Sequence, residues 1–104
     1  MDDDLFTLEH FLRSNPRLVY TEIKYENEIP IIMLDNETCI MIGGIAIKYY
    51  KNGLLHREDG PAIQWLEGSK EYYMYGKLHR IGGPAYESAM GYKEWWVNGR
   101  RITV

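Results

Sequence analysis

The second half of this chain is written twice. Sliding the sequence against itself by 23 positions lays Leu55-His56-Arg57 on Leu78-His79-Arg80 and Gly60-Pro61-Ala62 on Gly83-Pro84-Ala85. It also lays Gly68, Lys70, Glu71 and Gly76 on Gly91, Lys93, Glu94 and Gly99. Ten of the 23 positions aligned between residues 54–76 and 77–99 are identical without a gap, and Tyr72-Tyr73 falls on Trp95-Trp96. Half a unit precedes the pair, because Tyr49-Tyr50-Lys51-Asn52-Gly53 falls on Tyr72-Tyr73-Met74-Tyr75-Gly76 at the same shift. A period of this size marks a supersecondary unit stacked on its neighbours, none of which can bury an apolar face alone.

Each unit reads as strand, tight turn, strand. Pro61 to Trp65 and Lys70 to Tyr75 carry the β-prone residues, and Leu66-Glu67-Gly68-Ser69 lies between them, so one hairpin per unit is expected and consecutive hairpins make a meander. Asn52-Gly53, Tyr75-Gly76 and Asn98-Gly99 stand where a two-residue turn needs positive φ. Asp59-Gly60-Pro61 is a second turn signal that starts the next strand. A chain of 104 residues buries roughly two thirds of its unfolded surface, enough for one core and not two. The units therefore share a single domain over residues 1–104.

The first half is organised differently. Leu5, Leu8, Phe11 and Leu12 recur at helical spacing and predict an amphipathic helix over residues 3–14, with Asp2 to Asp4 at its positive end, Arg13 in its last turn and Asn15-Pro16 as the stop. From Leu18 the period changes to two, which reads as strand through Tyr25. Ile29 to Leu34 and Thr38 to Ile42 flank Asp35-Asn36-Glu37 as a hairpin, Pro30 marks a strand start or edge, and Gly43-Gly44 breaks the chain before the regular part begins. Residues 1–16 are thus helix and cap, 17–44 irregular strands, and 45–104 hairpin units. The fold class expected is α+β: an N-terminal helix packed on an antiparallel β-meander built from 23-residue hairpin repeats.

Charge limits the possible partners. Of the net −3, residues 1–47 carry −6 and residues 48–104 carry +3. A net-acidic chain is a poor nonspecific duplex binder, since that needs many Lys and Arg against phosphates, although the basic second half leaves a local strip. A lone Cys39 makes no intramolecular disulfide and fits a reducing compartment. The acidic N-terminus is unlike a secretory signal, and no apolar run reaches the length of a membrane span. Cytoplasmic location without membrane contact is the expectation.

Leu55-His56-Arg57-Glu58-Asp59-Gly60-Pro61-Ala62, followed by Trp65, Gly68, the aromatic pair and a closing turn glycine, resembles the His-Arg-Glu-Asp-Gly-Pro-Ala repeats of bacteriophage and giant-virus proteins. These are similar in period and turn chemistry to the membrane occupation and recognition nexus (MORN) repeat. The resemblance covers about residues 45–101; in the second copy Ile81-Gly82 replace Glu58-Asp59. It implies a single-layer β-meander used for binding or scaffolding, with no enzymatic reaction. It further implies a viral accessory protein acting in the host cytoplasm, where it binds and inhibits a host defence factor.

His56 and His79 are the tempting acid–base pair, yet residues at identical repeat positions normally serve the repeat. Hydrogen bonds to turn carbonyls, with the arginine stems packed over the next hairpin, are the structural expectation. No nucleophile elbow, phosphate loop or metalloprotease helix is present, so neither catalysis, a metal site nor a cofactor is expected. His10 is expected to face solvent.

Alternation places Tyr49, Tyr72 and Trp95 on one side of the sheet and Tyr50, Tyr73 and Trp96 on the other. The second row, edged by Arg57, Arg80 and Arg100, is the expected partner-binding face, because Tyr, Trp and Arg are enriched at binding hot spots. The expected ligand is a protein, with nucleic acid or a nucleotide on the same aromatic and arginine face as the alternative. The final strand is a candidate edge for a homodimer.

Overall fold

The computed structural model describes residues 5–103. It is mostly antiparallel β-sheet with one short helix, a meander-like series of hairpins. Helix α1 (Leu8–Ser14) is followed by strands β1 (Glu22–Glu26), β2 (Ile29–Met33), β3 (Thr38–Ile42), β4 (Ala46–Lys51), β5 (Leu54–Leu55) and β6 (Ile63–Trp65). Next come β7 (Lys70–Glu71), β8 (Tyr73–Met74), β9 (Lys77–Leu78), β10 (Tyr86–Glu87), β11 (Lys93–Val97) and β12 (Arg100–Ile102). The main sheet runs β1-β2-β3-β4-β6-β7-β10-β11-β12, with β5 on β4, and β8-β9 form a separate pair.

The helix is shorter than its apolar stripe suggests, and the reason is its cap. Thr7 is extended and its hydroxyl accepts from the His10 amide, satisfying one of the orphan donors that open any helix. Leu5 and Phe6 therefore lie ahead of the helix, and Phe6 donates its amide to the Gly44 carbonyl. The part assigned to Asp2–Asp4 lies outside the described residues. At the other end the Asn15 side chain bonds the Phe11 carbonyl. Strand β1 also starts later than the alternation from Leu18 predicted; Val19 is 83% exposed, and ahead of the ladder Thr21 reaches across to the Met33 carbonyl with its amide and its hydroxyl.

The core explains why α1 sits where it does. Cross-strand register aligns Ile23, Ile32, Ile40 and Tyr49 in one row across β1 to β4. Phe11 packs on that face with Ile32, Ile40, Ile42 and Ile47, and Phe6, Leu8, Leu12 and Leu18 close the margin. The hairpin at Asp35 forms as expected, since the carboxylate accepts from the Glu37 and Thr38 amides. In the second half the buried apolar side chains among the described residues are Ala62, Ile63 and Ala85, too little for a core of that kind.

One expectation about the hairpins is corrected. Lys70 to Tyr75 is not one strand: β7 pairs with β6 and β10, whereas β8 turns away to pair with β9. The break falls at Tyr72, whose amide bonds the Ala85 carbonyl. Strand β4 divides its pairing in the same way, Ala46–Lys48 with β6 and Tyr50-Lys51 with β5. The Asn52, Tyr75 and Asn98 turns take positive φ at both central residues, the geometry that matches strand twist in two-residue hairpins.

Candidate functional site: the arginine and aromatic face

The His-Arg-x-x-Gly-Pro-Ala segment is positioned by its own backbone. The His56 amide bonds the Tyr49 carbonyl and the Arg57 amide the Tyr73 carbonyl, which strings this segment between two neighbouring strands. His79 and Arg80 repeat the pattern toward Tyr72 and Trp96. The guanidinium of Arg57 then lies 4.0 Å over the Tyr49 ring and that of Arg80 4.0 Å over Tyr72, a cation on the negative face of each ring. Each also donates to a proline carbonyl, Arg57 to Pro61 at 3.1 Å and Arg80 to Pro84 at 3.2 Å.

A side chain in place of the glycine beneath each guanidinium would push the arginine out of its stack. A Cβ at Gly60 would stand 2.9 Å from Arg57 Cζ, and one at Gly83 the same distance from Arg80 Cζ. The ion partners differ: Arg57 pairs with Asp59, but Arg80, with Gly82 at that position, reaches Glu87 instead. The second arginine thus keeps an ion partner although Gly82 stands where the first copy has Asp59.

The histidines do not bond carbonyls, as the sequence reading had them doing. His56 is 6% exposed, and its Nδ1 accepts from the Tyr75 amide at 3.0 Å while Nε2 faces the Glu58 carboxylate at 3.3 Å. The donor at Nδ1 fixes the tautomer: the proton sits on Nε2 and points at Glu58. The Tyr75 ring covers the imidazole with centroids 4.2 Å apart. His79 Nδ1 accepts in the same way from Asn98, at 2.9 Å. In both cases the imidazole lone pair is held by a turn amide. His10 is exposed, as expected. Burial raises the Cys39 thiol above its ordinary pKa, which lowers its thiolate fraction. Among the described residues no three His, Cys, Asp or Glu side chains are grouped to hold a metal ion.

The six residues expected to form one binding face fall on two. Trp96 pairs across the ladder with Arg101, whereas Trp95 pairs with Ile102 and Val97 with Arg100; directly opposed residues share a face. Arg100 thus lies with Trp95, and Arg57 and Arg80 lie over the Tyr49 and Tyr72 row. Tyr50, Tyr73 and Trp96 occupy the other side, all half-buried. The signal for this was in the sequence, since Tyr49 to Arg57 and Tyr72 to Arg80 are both eight apart, but nothing there says how far the segment doubles back.

On that second side glutamates tie the aromatics down. Glu71 accepts from Trp65 Nε1 at 2.7 Å and from the Tyr73 hydroxyl at 2.8 Å. Glu94 accepts from Trp96 Nε1 and the Tyr92 hydroxyl, and these two donors, with Arg101 nearby, hold its carboxyl below the ordinary range. Burial, then the bond to Glu71, raises the Tyr73 phenol well above 10. A raised native value means the folded state keeps a proton the unfolded chain gives up, so this contribution is complete below about pH 10 and declines as pH rises above it. Tyr73→Phe is expected to flatten the alkaline side of the stability profile between about pH 10 and 12, measured by urea unfolding; an unchanged slope would count against the Tyr73–Glu71 bond.

The face that is left open lies at the C-terminal end. Arg80, Ile81, Gly82, Gly83, Trp95, Val97 and Ile102 line an apolar groove of about 430 Å³. Trp95 is 46% exposed, Ile102 48% and Ile81 73%. The face missed by sequence reasoning is therefore that of Trp95, because alternation alone does not tell which row an arginine covers.

Comparison of the chain with protein-family models, curated proteins and solved structures finds no match. What the geometry defines is a class by architecture: an antiparallel hairpin sheet, faced by a short helix at one end and by arginine-on-aromatic stacks along its length.

Proposed function

We propose that the protein is a non-enzymatic protein-binding module that docks its partner on the C-terminal end of the sheet. One observation carries this reading: Tyr49 and Tyr72 are each covered by an arginine, whereas Trp95 at the corresponding place is bare and faces a groove with Ile81, Val97 and Ile102. A contiguous exposed apolar patch centred on Trp and rimmed by arginine has the composition of a binding hot spot. The 23-residue unit, read as a MORN-like repeat, supports a scaffold role, and its likeness to phage and giant-virus repeats points to a viral accessory protein that inhibits a host factor in the cytoplasm. Nucleic acid is the second reading, favoured by Arg100 on the same face as an exposed indole, whose flat face suits base stacking.

Pull-down from bacterial lysate with nuclease treatment separates the two. The expected result is a stoichiometric protein retained by the parent and by Tyr25→Ala, a remote exposed control, and lost with Trp95→Ala. Retention of nuclease-sensitive material only, with affinity falling steeply in salt, would replace the protein reading by the nucleic-acid one.

A further inference from the structure

The groove at Trp95 has a counterpart inside the molecule that tells what belongs in it. Arg57, Glu58, Asp59, Gly60, Tyr72, Met74 and His79 line an internal groove, and each stands 23 positions before Arg80, Ile81, Gly82, Gly83, Trp95, Val97 and Ile102. The internal groove has acidic residues in its loop, and Arg80, stacked on Tyr72, forms part of its wall. In the terminal groove the acidic pair is Ile81-Gly82, and Thr103 stands at the arginine's place. Its margin carries one unpaired cation: Arg100 projects on the Trp95 side opposite Val97, with no ion partner among the described residues, while Arg80 in the inner wall is paired with Glu87. An incoming cation finds like charge here; an apolar side chain beside a carboxylate finds both halves of its complement.

The backbone is open in the matching place. The carbonyls of Leu55 and Leu78 accept from the Gly76 and Gly99 amides of the turn that follows. The residue 23 positions after Leu78 is Arg101, and among the described residues no donor sits on its carbonyl, because β12 pairs only with β11. A free strand edge next to an apolar pocket is the arrangement used in recognition by strand addition, where the ladder supplies affinity and the pockets select side chains.

We propose that the outer edge of β12 and the Trp95 groove bind an extended acidic segment of a partner protein, with a large apolar side chain over Trp95 and a carboxylate two residues away on Arg100. The spacing of two follows from the ladder: Ile102 and Arg100 are two apart on one face, so the residues opposing them on an added strand are too. This rests on the protein-binding reading and specifies its partner's chemistry.

The test uses the full chain and short acetylated, amidated threonine-rich peptides carrying Phe with Glu two positions before or two positions after it, and the same peptides with Lys for Glu. Binding is followed by backbone amide NMR shifts. The expected result is shifts at Arg101 and Thr103, at least about tenfold preference for the Glu peptide over its Lys twin at low salt, and a comparable loss with Trp95→Ala. Ile81→Glu, at a 73% exposed position, restores the acidic residue of the internal groove without removing buried packing, and is expected to reverse the preference toward Lys. Equal binding of Glu and Lys peptides, no effect of either substitution, or no binding at about 1 mM overturns the proposal. So does self-association through this face that the peptides do not compete. A cellular partner lost with Trp95→Ala but indifferent to Ile81→Glu would leave the module reading in place and remove only the acidic specificity.

Discussion

Ile40→Ala is expected to lower the free energy of unfolding by about 3–4 kcal/mol, the range for emptying a fully packed aliphatic site that cannot collapse. Ile40 is 2% exposed, lies in register between Ile32 and Tyr49, and packs with Phe11. A loss of that size is a large part of the stability of a domain this small. The buried cluster sits wholly in the α1 to β4 half, and beyond it the sheet buries little besides Ala62, Ile63 and Ala85. Stability should therefore be graded along the sheet. Native-state hydrogen exchange is expected to show β2 and β3 opening only with global unfolding and β10 to β12 opening locally at lower free energy. Uniform protection across the twelve strands, or an Ile40→Ala cost under about 1 kcal/mol, would refute this division.

His56→Ala should cost about 2–3 kcal/mol, against about 1 kcal/mol for His79→Ala, although the two residues stand at the same place in their segments. The difference lies in burial. Removing His56, itself 6% exposed, strips the acceptor from the Tyr75 amide and takes the imidazole from beneath the Tyr75 ring. Removing His79 frees the Asn98 amide where solvent can replace the imidazole. His56→Gln, which retains an acceptor, is expected to recover part of the loss. Equal costs at the two positions by urea unfolding would mean that the histidines act through packing and not through the amide bond.

How legible these features were in the sequence depends on whether the determining interaction is local. The hairpin at Asp35 was readable because one carboxylate bonds the amides two and three residues on, and the turns at Asn52 and Asn98 because Asn-Gly tolerates positive φ. The helix start was misplaced because three aspartates advertise an N-terminus as strongly as Thr7 does, and it is the Thr7 hydroxyl that caps the helix by accepting from the His10 amide. The division of β4, and of Lys70 to Tyr75, between two neighbours left no mark, since an alternating run looks the same whether it pairs with one strand or two. The candidate face suffered most. That Arg57 would reach Tyr49 and not the Tyr50 row depends on how the chain turns through Asn52-Gly53 and returns, which is a property of the tertiary path.

The bonds that complete each His-Arg segment come from residues still to be made. His56 waits for the Tyr75 amide, Leu55 for Gly76, His79 for Asn98 and Leu78 for Gly99. A chain leaving the ribosome amino end first would thus close one segment for every turn that follows it, each step reaching forward about twenty residues and depending on nothing further downstream. This means that a nascent chain halted at any turn carries behind it a nearly finished structure and exposes a single open segment at its growing end.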